Sequence, residues 1–249
     1  MEAARVAAER GHSVSLWEKG QKLGGNLIPG SAPEFKGNYR RLLDYLVLQL
    51  DKAGADITLG KEITIEQIEK LKPDVIFVAT GSTPIIPNIV GVEKDNVVTA
   101  IDLLSGKKEP GDSVIVIGGG VVGCETALHL AQKGKEVTIV ELQDNIGRDM
   151  YTVNRMHLVK LVSDSGIRLL TQSKVLEITD KGILFSHQNG RQESLEADTI
   201  VVSVGMKPRH DLAEKLSGQD LEVYAIGDCT EPRKLINAIR EGYRIARCI

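Results

Sequence analysis

Residues 113–125 read Ser-Val-Ile-Val-Ile-Gly-Gly-Gly-Val-Val-Gly-Cys-Glu, and they are the most informative part of this sequence. A strand-sized apolar run leads into a glycine-rich turn, and Glu141 follows Gly123 by 18 residues, at the end of another apolar run. This order of strand, glycines, helix and acid is typical of a dinucleotide-binding βαβ unit, because glycines allow a tight turn close to a pyrophosphate and the acid binds a ribose. The residues predicted to bind the dinucleotide are Gly118, Gly120, Val121, Val122, Gly123 and Glu141.

Glu141 also predicts which nicotinamide cofactor is preferred. A carboxylate accepts hydrogen bonds from both ribose hydroxyls of NADH but repels the 2′-phosphate of NADPH. Arg148, seven residues further along the chain, could meet that phosphate. We therefore expect NADH, and NADPH stays open as the alternative.

A second copy of the pattern occupies the start of the chain. Glu18 lies 123 residues before Glu141, and six further residues are identical at this offset. The identical pairs are Glu2 and Glu125, Ala4 and Ala127, Ala8 and Ala131, Gly11 and Gly134, Val14 and Val137, and Gly24 and Gly147. Two nucleotide-binding folds in tandem are most simply interpreted as one site for FAD and one for NADH. Glu18 is then predicted to bind the ribose of FAD.

The same offset places the strand and the three motif glycines of the first copy before Met1. We therefore expect this chain to be a fragment of a longer polypeptide, with a degenerate N-terminus as the alternative. The first copy would then lack the central strand of its sheet and its pyrophosphate turn. We expect such a fragment to bind FAD weakly or not at all, and to be inactive by itself.

Periodicity and turn residues predict the domain organisation. Val75–Val78 is a continuous apolar run, as in a buried parallel strand, and the connector that follows contains Pro84 and Pro87. Three strand-like segments between residues 174 and 195 are separated by Asp-Lys-Gly and Gln-Asn-Gly turns, which predicts a three-stranded antiparallel meander. We predict an α/β fold with two Rossmann-like dinucleotide-binding domains, the second inserted in the first. The predicted parts are residues 1–90 (FAD domain), 91–207 (NAD(H) domain) and 208–249 (closing part of the FAD domain).

Composition argues against several other classes of protein. The net charge of −3 and the pI near 6.0 provide no basic surface for nucleic acid. No apolar run approaches the roughly 20 residues that span a bilayer. Cys124, Cys229 and Cys248 are too few and too far apart for a disulfide framework, and the histidines lack metal-ligand spacing. We expect a cytoplasmic protein with reduced thiols and no metal site, whose oligomeric state cannot be predicted.

Five further motifs resemble those of a known family. They are Glu18-Lys19 followed by Leu23-Gly24-Gly25-Asn26-Leu27, Phe77-Val78-Ala79-Thr80-Gly81-Ser82, Val204-Gly205-Met206-Lys207-Pro208, Tyr224-Ala225-Ile226-Gly227-Asp228-Cys229, and Asn237-Ala238-Ile239-Arg240-Glu241-Gly242. With the duplicated βαβ unit, these motifs resemble the two-dinucleotide flavoprotein fold of the glutathione reductase type. Within that type the chain is similar to the C-terminal region of the 2,4-dienoyl-CoA reductase, enoate reductase and trimethylamine dehydrogenase branch of the Old Yellow Enzyme superfamily.

The resemblance implies additional cofactor contacts. The residues implied on the FAD side are Glu18, Lys19, Gly25, Asn26, Leu27, Ala79, Thr80, Gly81, Gly227 and Asp228, and Gly205 is implied where the chain leaves the NAD domain. Disulfide reductases of this fold have a Cys-x4-Cys pair just after the first acid, where this chain has Gly24, Gly25 and Asn26. We therefore expect no dithiol chemistry.

The resemblance also implies a function. It implies an FAD/NAD(H)-binding module in which hydride passes from NADH to FAD, and electrons continue to a partner barrel domain that holds FMN and a 4Fe-4S cluster. That barrel and the cluster cysteines are not in this sequence, and we name no catalytic residue because the cofactors perform the hydride chemistry. Two alternatives stay open: a non-catalytic NADH-binding regulatory module, and a freestanding NADH oxidase or ferredoxin reductase.

Overall fold

The computed structural model describes residues 1–148, 150–218 and 221–249, and these form two compact units. The first unit comprises Met1–Ile28, Gly37–Thr83 and Met206–Ile249. The second comprises Pro29–Lys36 and Pro84–Gly205. Most of the second unit is therefore inserted in the sequence of the first.

Helices and strands alternate along most of the chain. The α-helices are α1 (Glu2–Glu9), α2 (Leu27–Gly30), α3 (Gly37–Lys52), α4 (Ile65–Leu71), α5 (Ala100–Leu104), α6 (Val121–Gln132), α7 (Thr152–Asp164), α8 (Asp211–Leu216) and α9 (Leu235–Ala246). The strands are β1 (Ser15–Glu18), β2 (Asp56–Leu59), β3 (Val75–Val78), β4 (Ser82–Pro84), β5 (Val97–Thr99), β6 (Ser113–Ile117), β7 (Glu136–Val140), β8 (Arg168–Leu170), β9 (Ser173–Thr179), β10 (Gly182–His187), β11 (Gln192–Glu196), β12 (Thr199–Val202), β13 (Met206–Pro208) and β14 (Glu222–Ala225). Glu34–Lys36 and Gly227–Cys229 are 3-10 helices.

A five-stranded parallel sheet forms the centre of the second unit, in the order β5-β12-β6-β7-β8. Successive residues of β6 face opposite sides of this sheet. Val114 and Val116 pack with helices α5, α6 and α7, whereas Ile115 and Ile117 pack with β9 and β10. Burial on both faces explains why β6, β7 and β12 have continuous apolar sequences. The pairing of β6 with β7 brings the glycine turn beside Glu141, since both follow the carboxyl ends of these strands.

The antiparallel meander predicted from the sequence is confirmed, with β10 between β9 and β11. Ile178, Ile183 and Phe185 of the meander are almost fully buried. They cover the face of the parallel sheet opposite the helices, so the meander closes the core of the second unit.

The described strands of the first unit form separate pairs. β1 pairs in parallel with β2, β3 pairs in parallel with β14, and β4 pairs with β13. Helix α1 packs against α9, and the crossing is close because a Cβ on Gly242 would lie 3.2 Å from the Ala3 nitrogen. The loops after β1, β3 and β14 carry the residues predicted on the FAD side.

Leu27, which directly follows Gly24, Gly25 and Asn26 in the sequence motif, begins the short helix α2. The N–H groups of Leu27 and Ile28 donate to the carbonyls of Gly24 and Gly25, so these glycines start a helical turn. Pro29 is compatible with this turn because a helix tolerates proline in its first turn. Among the described residues, no helix is both long enough and apolar enough to cross a membrane.

Candidate dinucleotide-binding sites

Two glycines of the turn after β6 are required by close packing. Gly118 has a φ of +105°, and a Cβ there would lie 2.3 Å from the Ser203 carbonyl oxygen. A Cβ on Gly123 would lie 2.0 Å from the Gly118 carbonyl oxygen. No side chain fits at either distance, so Gly118 and Gly123 bring β6, α6 and the end of β12 together.

Gly120 is different, because a Cβ there would meet no protein atom within 4 Å. It has ordinary extended dihedrals (φ −66°, ψ 179°) and precedes α6, whose N-terminus has no side-chain cap in the described structure. The first N–H groups of α6 and the positive end of its dipole therefore face open space. Val121 is half-buried and Val122 is exposed in this first turn. This space, which we call the NADH cradle, is where the sequence predicts a pyrophosphate to bind, and any side chain at residue 120 would narrow it.

Glu141 is held by two main-chain N–H groups. Its Oε2 accepts from Gly119 at 2.6 Å, and its Oε1 accepts from Gln143 at 2.7 Å. The Gly147 N–H in turn donates to the Gly119 carbonyl at 2.7 Å, so the loop after β7 folds back onto the glycine turn. Gly119 was not among the site residues predicted from the sequence. It is nevertheless tightly packed, because a Cβ on Gly119 would lie only 2.5 Å from Cγ2 of Ile146.

Arg148 is engaged within this same loop. Its Nη1 donates to the Gln143 side-chain oxygen at 2.9 Å, and the guanidinium forms an ion pair with Asp144 at 3.4 Å. A 2′-phosphate beside Glu141 would have to compete with these two partners.

Gly205 lies beyond β12, where the second unit ends. It has a φ of +119°, and its carbonyl accepts from the Ile85 N–H at 3.0 Å. A Cβ on Gly205 would lie 3.4 Å from Cδ1 of Ile85. Gly205 therefore joins the two connecting segments of the chain, and the left-handed φ explains why glycine suits this position.

In the first unit, Glu18 resembles Glu141 in its local contacts. Its Oε1 accepts from the Gly20 N–H at 2.7 Å, two residues on, as Glu141 does with Gln143. The neighbouring Lys19 is exposed, and the Nζ of Lys61 lies 4.8 Å above the Trp17 ring. The two acids thus have equivalent positions at the ends of β1 and β7.

The loops after β1, β3 and β14 are joined by side chains. Asn26 donates to Ser82, and the Ser82 hydroxyl donates to Asp228. Gly25 and Gly81 both have positive φ and no protein atom within 4 Å of an added Cβ. The structure therefore brings Asn26, Gly81 and Asp228 to one region with open space beside the glycines. Ser82 was not among the predicted site residues.

Thr80 and Ala79 have less direct roles in this region. The Thr80 hydroxyl donates to the Arg209 carbonyl at 2.8 Å, and the Arg209 N–H donates to the Gly81 carbonyl at 3.0 Å. Ala79 is exposed. Thr80 therefore fixes the segment that follows β3, whereas the side chain of Ala79 is exposed to solvent.

The turn that carries Asp228 is fixed by helix α9. The Gly227 N–H donates to Oε2 of Glu241 at 2.8 Å, and the other oxygen of Glu241 pairs with Arg233. Burial works against ionisation of Glu241, yet the Gly227 N–H and the Arg233 guanidinium hold its pKa below the usual value. A charged Glu241 therefore anchors the turn.

Known proteins are similar to this chain over most of its length. Residues 1–242 match the family model described as pyridine nucleotide-disulphide oxidoreductase. The chain is 39% identical over 251 residues to NADH oxidase of Thermoanaerobacter brockii, which covers 99% of this chain and 39% of that protein. It is 39% identical over 252 residues to cinnamate reductase of Clostridium sporogenes, covering 100% of this chain and 37% of that protein.

A solved structure is similar to the chain as well. A 2-naphthoyl-CoA reductase in complex with 2-naphthoyl-CoA superposes with a TM-score of 0.95 at 35% identity, covering 100% of this chain and 38% of that one. The chain therefore spans less than half the length of these three relatives.

Proposed function

The chain belongs to the pyridine nucleotide-disulphide oxidoreductase family, and we propose that it is the FAD/NAD(H)-binding module of a flavin-dependent oxidoreductase. Membership of this family implies binding of FAD and NADH. In the proposed reaction, NADH donates hydride to FAD, and electrons then pass to a partner region. We propose that residues 1–90 and 208–249 hold FAD and that residues 91–207 hold NADH.

The geometry of the turn from β6 into α6 gives the strongest support for this proposal. Gly120 leaves room for a pyrophosphate at the uncapped N-terminus of α6, and Glu141 lies beside it with its carboxylate oriented by Gly119 and Gln143. The residues proposed to bind NADH are Gly118, Gly120, Val121, Val122, Gly123, Glu141 and Gly205. We infer that NADH is preferred to NADPH, because Arg148 is already paired.

The first unit supplies residues for FAD, a cofactor that accepts hydride when it is bound. Glu18 is proposed to accept from the adenosine ribose, with Lys19 beside it. The loops containing Gly25, Asn26, Leu27, Ala79, Thr80, Gly81, Gly227 and Asp228 are proposed to line the flavin side. These residues bind and orient, and none of them is assigned a proton transfer.

The acceptor of the electrons is proposed from the relatives. Because the chain spans less than half of their length, we propose that a further region, a barrel holding FMN and a 4Fe-4S cluster, completes the enzyme. Two relatives are named as reductases of cinnamate and of 2-naphthoyl-CoA. We accordingly propose an unsaturated carboxylate or an acyl thioester as the final acceptor.

The proposed function is tested by recording visible spectra without oxygen, after FAD has been added in excess and again after NADH. Because a fragment is expected to bind FAD weakly, the excess of FAD is needed to fill the site. The expected result is protein-dependent loss of the flavin absorbance on addition of NADH, without turnover of the final acceptor. NADH that binds while the flavin stays oxidised would contradict hydride transfer and would favour the non-catalytic regulatory module. The matched control is Gly120→Val, which should block the NADH cradle and leave the flavin oxidised.

A further inference from the structure

Ser82 connects two loops that are far apart in sequence. This residue is 8% exposed and directly follows Gly81. Its hydroxyl donates to Oδ2 of Asp228 at 3.1 Å, across 146 residues of chain. The Asn26 side-chain nitrogen lies 3.2 Å from both the carbonyl oxygen and the hydroxyl oxygen of Ser82. One buried serine therefore contacts the loop after β1 and the turn after β14.

The direction of these hydrogen bonds follows from the donors and acceptors. The Ser82 carbonyl can only accept, so the Asn26 amide must present its nitrogen to Ser82. The Ser82 hydroxyl then accepts from Asn26 and has one proton of its own to give. A carboxylate accepts hydrogen bonds, so that proton is directed to Asp228. The chain of donors runs from Asn26 through Ser82 to Asp228.

The two carboxylate oxygens of Asp228 therefore differ in their hydrogen bonds. Oδ2 accepts the Ser82 hydroxyl, a hydrogen bond to a charged group, which is stronger than one between neutral groups. Oδ1 has a contact of 3.4 Å with the Arg233 N–H, which is long for a hydrogen bond. The main chain of the turn is fixed separately, because Gly227 donates to Glu241. Within the described part of the chain, Oδ1 therefore has only this long contact and can accept a further donor.

We propose that Ser82 is a positioning residue for FAD: it holds Oδ2 of Asp228 so that Oδ1 is presented to a hydroxyl of the flavin side chain. This inference rests on the proposed function, since it assumes that FAD binds to the first unit. Ser82 acts through Asp228 and is not assigned a contact with the flavin. Asn26 has the lesser role of orienting the Ser82 hydroxyl.

The test measures the dissociation constants of FAD and NADH for matched variants. Ser82→Ala should weaken FAD binding about tenfold, the effect of one charge-assisted hydrogen bond, and leave NADH binding unchanged. Ser82→Thr keeps the hydroxyl and should restore FAD binding to within about threefold of the wild type. Ser217→Ala, which removes an exposed serine side chain from the same unit, is the control.

A double-mutant cycle tests whether Ser82 acts through Asp228. In the Asp228→Ala background, Ser82→Ala should cause little further loss of FAD binding, because the group that Ser82 positions is gone. An equal loss in both backgrounds would overturn the positioning role. If Ser82→Ala does not fold, Ser82→Cys replaces it, since a thiol of similar size is a weak donor and should also lose FAD affinity.

Different experimental results would contradict the positioning role of Ser82 and the proposed function. A wild-type protein that binds no FAD at any concentration contradicts the proposed function and, with it, the role of Ser82. A wild-type protein that binds FAD no more tightly than Ser82→Ala contradicts the positioning role alone. Loss of NADH binding in Ser82→Ala would also overturn it, because the effect would then not be specific to FAD.

Discussion

The main-chain N–H of Gly119 donates to Oε2 of Glu141 at 2.6 Å, which joins the glycine turn to the acid at the end of the next strand. Glu141 therefore has two tasks. Its carboxylate fixes the turn from which the α6 N–H groups face the ligand space, and it is the group proposed to accept from the ribose of NADH.

Replacement of Glu141 should affect the two nicotinamide cofactors differently. We expect Glu141→Ala to weaken NADH binding by about 10- to 100-fold, since hydrogen bonds to a charged acceptor are lost. NADPH binding should change less, because the repulsion of its 2′-phosphate is removed at the same time. Titration of both cofactors measures the ratio. Glu136→Ala, exposed at the other end of β7, is the control, and an unchanged ratio would contradict the assignment.

Two glycines of the turn should respond in opposite ways to alanine. Gly123→Ala places a Cβ 2.0 Å from the Gly118 carbonyl and should lower the free energy of unfolding by about 1–3 kcal/mol. Gly120→Ala meets no protein atom within 4 Å and should change stability by less than about 0.5 kcal/mol, yet weaken NADH binding. Thermal unfolding and NADH titration of both variants separate the two effects. Tight NADH binding by Gly120→Ala would rule out the cradle.

The pH dependence of stability should depend on His129, which is 8% exposed on α6. Burial chiefly lowers the pKa of His129, Lys133 adds to this, and Glu34 opposes it. The unfolded chain therefore binds the proton more readily, and the folded state loses stability as the pH falls below about 6.5. His129→Gln should give a shallower loss of the free energy of unfolding between about pH 7 and pH 5. His157→Gln, at an exposed position, is the control, and equal slopes would refute the prediction.

FAD should bind more weakly than NADH. The described strands of the first unit form separate pairs, whereas β6 and its glycine turn lie beside Glu141 in the second unit. Trp17, the single tryptophan, precedes Glu18 and can report FAD binding through its fluorescence. Protein purified with near-stoichiometric FAD would contradict this expectation.

The helices and strands that could be predicted from the sequence are those with a clear local pattern of apolar and turn residues. The helix predicted after the glycines is α6 (Val121–Gln132), and it could be predicted because the apolar strand and the glycine turn come directly before it. The meander was predicted from its turn residues. Helices α5 and α8, with five and six residues, were missed because such short helices show little periodicity.

Long-range contacts could not be predicted in this way. Residues 29–36 belong to the second unit, where Lys36 pairs with Glu125 of α6, although the flanking segments belong to the first. The contact of Ser82 with Asp228 likewise joins residues that no local pattern relates. The site residues chosen from the sequence stay predictions until a cofactor is bound and measured.

Calorimetric titration of NADH into the wild-type protein, Gly120→Val and Glu141→Ala tests most directly whether the turn after β6 and Glu141 hold NADH. We expect one NADH per wild-type chain, strongly reduced binding by Glu141→Ala, and no measurable binding by a folded Gly120→Val variant. Binding that is equal in all three proteins, or absent from the wild type, would contradict the claim that this turn and this acid hold NADH.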